Sequence, residues 1–399
     1  MAKALSVEIV SSADEFDALA ENWRALHDAA GRSVFQSFEW NRTWWRHFGA
    51  GNVLHILTVT GPNGLVAIAP FYRETPRVLW VAPMRTLRWI GGDMADYQDV
   101  LVAAGYEADA CALIAAALLD DAPADLLLLN DTPEDGHGAN VLQEHLRASG
   151  FVGEATRNVR CPRLHLKPTW KEVLGGMRPS HAKRVAYMER NMRRNFQVEL
   201  QHAKLETLDH DFNLFVEMHQ KRWVAEGKPG LLGDPLKRAF YHDVARAFAE
   251  RGWLALVFLA LNGERVWVNF SFKRNGIIEF YLGGSAENDS ARKYSPGIML
   301  NVLHIQSLIN EGGAVYDFLR GNEPYKYDLG AVDRGNVALT LRRPDRPVAD
   351  ALHLAHRAQG KAERLAQRTL AHARKVLDRV AKPPASANNQ IPALNLLGV

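Results

Sequence analysis

The stretch from 277 to 326 carries the densest set of residues able to hold and react with a ligand. An apolar run ends at Leu282-Gly283-Gly284, a polar segment follows over 285–293, and Tyr294-Ser295-Pro296-Gly297 opens a second apolar run. Proline suits the first turn of a helix, and a glycine beside it leaves the backbone uncovered. Such a start presents unpaired N–H groups and the positive end of a helix dipole, a combination suited to phosphate. Arg292 and Lys293 add positive charge beside it. A plain capped helix after a loop would use the same residues, so the segment alone leaves both readings open. Further on, Asp317 interrupts the apolar run 315–319, where a carboxylate is costly to bury unless paired. It could be a general base or substrate anchor, or a structural partner of Arg320 or of a backbone N–H. Tyr325 and Lys326 follow Gly321-Asn322-Glu323-Pro324. Tyr325 could donate a proton or simply pack.

Three further clusters stand out. His219, Arg222 and Trp223 fall near one helix face at i+3 and i+4 spacing, either as a functional face or as an interior histidine beside a core tryptophan. Asp93, Asp96, Tyr97 and Asp99 follow Gly91-Gly92 in a polar loop that could face a substrate or only solvent. Trp40, Trp44 and Trp45 read as packing, with an aromatic shelf for a sugar ring as the alternative. Lys183, Arg184, Arg190, Arg193 and Arg194 make a basic helix, either a solvated face or a contact for an anionic acceptor. The two cysteines, Cys111 and Cys161, lack the spacing of a zinc site, and no metal is expected. Neither a G-x-G-x-x-G nor a P-loop occurs.

The elements that must position these residues follow a repeated order. In the first half, strands are expected at 7–10, 54–60, 65–72, 87–90, 99–102, 125–129 and 163–166, with helices at 14–29, 35–48, 107–119 and 141–149. In the second half, a helix over 170–195, broken near Pro179, precedes a strand at 196–200 and helices at 211–226 and 235–251. Strands at 253–261, 265–273 and 277–282 turn at Asn262-Gly263 and Asn275-Gly276, both strong hairpin signals. A helix from Pro296 to about 310 and a strand at 314–319 complete the set. Meandering antiparallel strands, then a helix, then another strand predict a mixed α/β (α+β) sheet rather than a Rossmann domain.

Composition bounds the rest. The chain has 399 residues, 47% hydrophobic and 23% charged, enough for about two to three domains. Its net charge of +3 conceals an asymmetry: residues 340–399 hold eleven Lys/Arg against four Asp/Glu. That argues against a DNA-binding protein and for a basic appendage. Over 349–381 the pattern reads as a basic amphipathic helix, able to dock on the core, on an anionic membrane surface or on a partner. The Pro-, Ala- and Asn-rich tail 382–399 reads as disordered. Arg342 and Arg346 have the Arg-x-x-x-Arg spacing of some cyclic-di-GMP sites. With neither an apolar leader nor a span of about 20 apolar residues, the expected location is cytoplasmic, with peripheral contact at the inner membrane through 349–381.

Several segments in order resemble one family. Phe35-Gln36-Ser37-Phe38-Glu39-Trp40 with Trp44-Trp45-Arg46-His47-Phe48, the Arg184 and Arg193-Arg194-Asn195 helix, His219-Gln220-Lys221-Arg222-Trp223, and Tyr316-Asp317-Phe318-Leu319-Arg320-Gly321 with Tyr325-Lys326 are similar to motifs of GCN5-related N-acetyltransferases (GNAT). They resemble the CelD-type branch associated with cellulose and exopolysaccharide synthesis, related to Fem-type aminoacyl transferases of peptidoglycan. The resemblance implies tandem GNAT-like domains at 1–166 and 167–345, which leaves the basic helix, at 346–381, as a C-terminal extension. It also implies acyl-CoA (acetyl-CoA) as donor and an amine acceptor, an amino sugar or a lipid-linked saccharide. On that reading Gly283, Gly284, Arg292, Lys293, Tyr294, Ser295 and Gly297 hold the donor. Lys326, Asp317 and Tyr325 are the catalytic candidates, Lys326 because a lysine at the corresponding place in Fem-type enzymes is implicated in stabilising the oxyanion. His219, Arg222, Trp223, Asp93, Tyr97, Asp99 and Trp44 are the substrate candidates. The sequence departs from the family's regular pyrophosphate loop, because 294–300 offers a single glycine. An aminoacyl-tRNA-dependent transferase and a catalytically idle scaffold therefore stay open as alternatives.

Overall fold

Two Asn-Gly turns set the centre of the second half. Asn262 and Gly263 have φ of 52° and 84°, and Asn275 and Gly276 have 48° and 71°. Left-handed values at both turn positions match the twist of the flanking strands, so the chain folds back tightly each time. The result is an antiparallel meander of Leu254–Leu261, Glu264–Arg274 and Ile277–Ser285. The computed structural model describes residues 5–78, 82–121, 124–225, 227–286, 289–343, 345–346, 348–362, 365 and 369.

Among the described residues, thirteen strands form one mixed sheet. In chain order they are β1 (Ser6–Val10), β2 (Val53–Gly61), β3 (Gly64–Glu74), β4 (Thr86–Trp89), β5 (Leu101–Val102), β6 (Leu126–Pro133), β7 (Val152–His165), β8 (Val198–His202), β9 to β11 (the meander), β12 (Val315–Asp317) and β13 (Val332–Arg342). Their spatial order is 1-2-3-4-6-13-7-12-11-10-9-8, with β5 on β3. Parallel pairs occur once in each half, β4 with β6 and β11 with β12. The two mixed arrays expected from the sequence are thus present as one continuous sheet, joined where β7 pairs with β12. The last strand, β13, pairs with β6 and β7, so residues 332–342 complete the sheet of the first half.

The helices are α1 (Ala13–Ala18), α2 (Ala20–Ala30), α3 (Phe38–Phe48), α4 (Glu107–Asp120), α5 (Gln143–Ala148), α6 (Trp170–Gly176), α7 (Pro179–Asn195), α8 (Leu208–Ala225), α9 (Pro235–Glu250), α10 (Asp289–Arg292), α11 (Pro296–Asn310) and α12 (Pro324–Asp328). Local chemistry starts several of them: Ser37 caps α3 through the Trp40 N–H at 3.2 Å, and Asp234 caps α9 through Leu236. An aromatic core ties α3 of the first half to the second half. Trp40 packs edge-on against Phe240 (5.3 Å) and Tyr281 (5.9 Å). Cys111 and Cys161 are buried and free.

A second, small unit comprises Arg77–Pro83 and Val348–Val399. Within it Arg77–Val78 pairs with Ala82–Pro83, and 349–362 is helical. Most of the remaining basic helix expected to 381, and the tail 382–399, lie outside the described residues. Among the described residues no helix is long and apolar enough to cross a membrane.

Two interactions fix the second half and generate predictions. A Cβ on Gly284 would lie 2.6 Å from the His219 nitrogen and 2.9 Å from the Met218 carbonyl carbon, both backbone atoms of α8. Gly284→Ala should therefore cost about 1–3 kcal/mol, read from the shift of the urea midpoint. Asp317 is fully buried and accepts from Arg163, from the Tyr97 hydroxyl at 2.9 Å and from the Leu319 N–H at 2.8 Å. Asp317→Ala strands a largely buried guanidinium, so a loss of about 3–5 kcal/mol is expected in the same measurement.

Candidate active site: two cavities that meet at Arg320

The parallel pair β11/β12 is short. Only Ile277–Glu279 of β11 faces Val315–Asp317 of β12. Beyond Glu279, β11 continues to Ser285 while the other chain turns away. Leu319 makes that turn with φ of 50°, a left-handed value that a leucine adopts only when held. The hold is the Asp317 carboxylate on its N–H. Residues 280–283 of β11 therefore keep one backbone edge without a strand partner, and a cavity of about 390 Å³ opens beside it.

Among the residues lining this cavity are Gly283, Ser295, Gly297, His219, Arg222, Trp223, Tyr325 and Lys326, all singled out in the sequence. It also takes in Trp267, Asn301, Phe318 and Arg320. The start of α11 is less open than the sequence suggests. The N–H groups of Ile298 and Met299 both return to the Ser295 carbonyl, leaving the Gly297 N–H as the uncommitted donor of the first turn. Gly297 is also required sterically, since a Cβ there would lie 2.6 Å from the Trp267 ring. Arg222 stacks between two indoles, 5.5 Å from Trp223 and 5.6 Å from Trp267. The remaining donor candidates lie elsewhere: Gly284 packs against α8, Tyr294 is buried against Phe196, and Arg292 and Lys293 are exposed.

The protonation states in the wall are fixed by geometry. The Trp223 indole donates to His219 Nε2 at 2.9 Å, so the ring proton sits on Nδ1, 3.2 Å from Gln220 Oε1. Burial holds the pKa of His219 down at about 4, so it is neutral near pH 7. Burial raises the Tyr325 pKa, which keeps its phenol protonated. Asn301 accepts from Asn269 at 2.7 Å and from Tyr316 at 3.0 Å, and its side chain also bonds the Tyr325 hydroxyl. Lys326 is 2% exposed, and its ammonium donates to the carbonyls of Phe318, Arg320 and Gly321 at 3.1, 3.0 and 3.3 Å, with Glu323 at 2.9 Å. Its three protons are committed to the loop over 318–323. Asp317 does not line the cavity; it braces the turn from behind.

A second cavity of about 680 Å³ adjoins the first. Trp44, Phe48, Tyr72 and Tyr241 give it an aromatic wall. Glu74, Asp93, Asp96, Arg88 and Lys237 give it charge. Tyr281, Leu282 and Arg320 line both cavities. Arg320 reaches from the second half to the first, pairing with buried Asp96, with the Ala95 carbonyl at 3.1 Å and with Asp131 at 3.5 Å. Burial raises both carboxyls, Asp131 to about 6. Of the loop residues picked from the sequence, Asp93 and Asp96 reach this cavity. Tyr97 is buried on Asp317, and Asp99 accepts from the N–H groups of Val100, His137 and Gly138. Trp267, Tyr281 and Asn301 had no role in the sequence reading, and Arg320, considered there only as a structural partner of Asp317, pairs instead with Asp96 while Asp317 takes Arg163. Arg342 and Arg346 line neither cavity, and Arg346 pairs with Asp125 at 3.2 Å.

Residues 181–327 match the family described as an acetyltransferase (GNAT) domain. No curated protein matches the sequence. Among solved structures, the chain is similar to FemX, with 12% identity, a TM-score of 0.54 and coverage of 84% of this chain and 96% of that one. It is similar to a conserved protein of unknown function from Bacteroides thetaiotaomicron VPI-5482 (12% identity, TM-score 0.53, coverage 84% and 100%). It is also similar to L-PGS from Bacillus licheniformis (13% identity, TM-score 0.51, coverage 84% and 96%). At these identities the likeness is one of fold. Residues 181–327 thus match a GNAT domain inside a mixed-sheet fold that is similar to those of FemX and L-PGS.

Proposed function

We propose that this chain is an N-acyltransferase that moves an acyl group from acyl-CoA to an amine, an amino sugar of an exopolysaccharide or of its precursor. The observation that carries this reading is the meeting of two cavities at Tyr281, Leu282 and Arg320. One cavity has an unpaired strand edge, which can pair with the amide groups of a pantetheine-like arm. The other has an aromatic wall for the apolar face of a sugar and fixed charges for its polar groups.

The donor supplies an activated acyl carbonyl, and the residues supply position and charge. Nitrogen attack forms the C–N bond and breaks the C–S bond, the amine proton going to a base and a second proton to the leaving sulfur. Arg320 stands at the junction with Nε on Asp96 and one terminal nitrogen on Ala95, which leaves the other for the developing oxyanion. Asp93 and Asp96 offer carboxylates on the acceptor side, and Tyr325 offers the proton for sulfur. Lys326 acts through the loop, holding the Arg320 backbone in place.

A second reading, an aminoacyl-tRNA donor with a peptidoglycan-precursor acceptor, draws on the fold shared with FemX and L-PGS. The exposed cations Lys183, Arg184, Arg190, Arg193 and Arg194 on α7 are also suited to a polyanion. Thermal-shift titration with acetyl-CoA, longer acyl-CoAs and aminoacyl-tRNA separates the two. Acetyl-CoA is expected to stabilise the protein, and a response to aminoacyl-tRNA alone would transfer the proposal to the second reading. Stabilisation by no donor would leave a scaffold.

The junction itself is testable. Arg320→Ala should lower kcat by about 10²–10³ while donor affinity, measured by calorimetry, stays near wild type. Tyr325→Phe should lower kcat by about 10² if it protonates the sulfur, with little effect on KM for the acceptor. Wild-type turnover by Arg320→Ala at saturating substrates would remove Arg320 from the reaction.

A further inference from the structure

A third cavity, of about 470 Å³, lies at the paired end of β11 and shares no residue with the other two. We propose that it is a binding site for a small oxyanion of the phosphate or carboxylate type. Four arginines converge on it from four separate segments: Arg32 after α2, Arg163 on β7, Arg274 at the end of β10 and Arg334 on β13. Three of them are deeply set, with side chains 16%, 9% and 11% exposed for Arg163, Arg274 and Arg334. Guanidinium groups so withdrawn from water need acceptors, and the protein supplies only part of them.

Arg163 gives its Nε to Asp317, which leaves its two terminal nitrogens for the cavity it lines. Arg334 pairs with Asp135 at the rim, and Arg32 donates to the Asp135 carbonyl at 2.9 Å. Arg274 donates to the carbonyls of Gly31 and His27 at 2.9 and 2.8 Å, with Asp28 at 3.6 Å. Arg163 and Arg334 also both stack on the Tyr97 ring, at 5.1 and 4.6 Å from its centroid, which restrains both forks. The other carboxyl in the lining, besides Asp135, is engaged elsewhere. Glu279 takes the Ser33 hydroxyl at 2.6 Å and the Val34 N–H at 3.3 Å. Burial pushes its pKa up to about 7, so near neutral pH much of its charge is withheld. Four guanidinium forks held around one cavity, with the terminal nitrogens of Arg163 uncommitted, match a planar or tetrahedral oxyanion bound bidentately.

The test uses the full chain and sulfate, whose charge is constant between pH 6 and 8. At constant ionic strength against chloride, millimolar sulfate should raise the unfolding temperature and bind measurably by calorimetry. Arg32→Ala, at the accessible edge, should weaken sulfate by about tenfold, and Arg32→Glu should abolish it. Circular dichroism checks that both variants are folded. Arg222→Ala, in the cavity assigned to the acyl donor, should leave sulfate affinity unchanged. Parallel titrations with inorganic phosphate and with succinate distinguish a phosphate ligand from a carboxylate. Undiminished sulfate affinity in Arg32→Glu, loss of affinity only in Arg222→Ala, or no binding of any of the three anions would overturn the proposal. Because the readout is anion binding, the result is independent of whether acyl transfer is the correct activity.

Discussion

The Asp317 carboxylate is the constraint on which the candidate site depends. Fully buried, it must be matched by donors, and it finds them in Arg163, Tyr97 and the Leu319 N–H. The last of these holds a leucine in a left-handed conformation. That bend ends the β11/β12 pairing at Glu279 and turns 318–321 away from β11. The open edge, the cavity beside it and the position of Arg320 all follow. Lys326 completes the arrangement by gathering three carbonyls of the same loop on one ammonium. A carboxylate and a lysine that might be taken for reactive groups thus shape the backbone around the place where reaction is proposed.

The junction is also the seam between the halves. Arg320 comes from the second half, while its partners Asp96, Ala95 and Asp131 come from the first. Desolvation of two carboxyls at a single point is costly unless each is matched, so their pairing with Arg320 fixes the relative position of the two loops. The aromatic contacts of Trp40 with Phe240 and Tyr281 hold the same seam from within the core. The strand β13 holds it from the other side, since the chain leaves the second half to pair with β6 and β7 of the first. A site built across a seam so tied can bring two ligands together with little rearrangement.

The elements were largely legible because their signals are local. The Asn-Gly turns, the Pro296 helix start and the break at Pro179 act through the conformations of one or two residues, and each appears where the sequence placed it. The long strand β7 was foreseen only at 163–166, because its first part is polar and exposed and carries little apolar alternation. β13 was missed although Val337, Leu339 and Leu341 alternate, because nothing local marks a strand whose partners lie about 180 residues earlier.

The candidate site divides along the same line. The sequence by itself determined the fold class, the stretch that lines the cavity beside the open strand edge, and the residue types available there, since these depend on periodicity and on short-range backbone preference. Gly283, Ser295 and Gly297, expected at a donor, Tyr325 and Lys326, expected to be catalytic, and His219, Arg222 and Trp223, expected at a substrate, line one cavity, and only the fold brings the three groups together. Which way each polar group points was decided only by tertiary contact. Lys326 and Asp317 were legible as unusual buried charges, yet whether such a charge faces a ligand or a backbone carbonyl depends on partners distant in the chain. Arg320 offers no local sign of its importance; its place arises because Asp96 and Asp131, more than 180 residues away, are brought against it. Burial makes the pairing of charges obligatory, and only the folded chain determines which charges are available to pair.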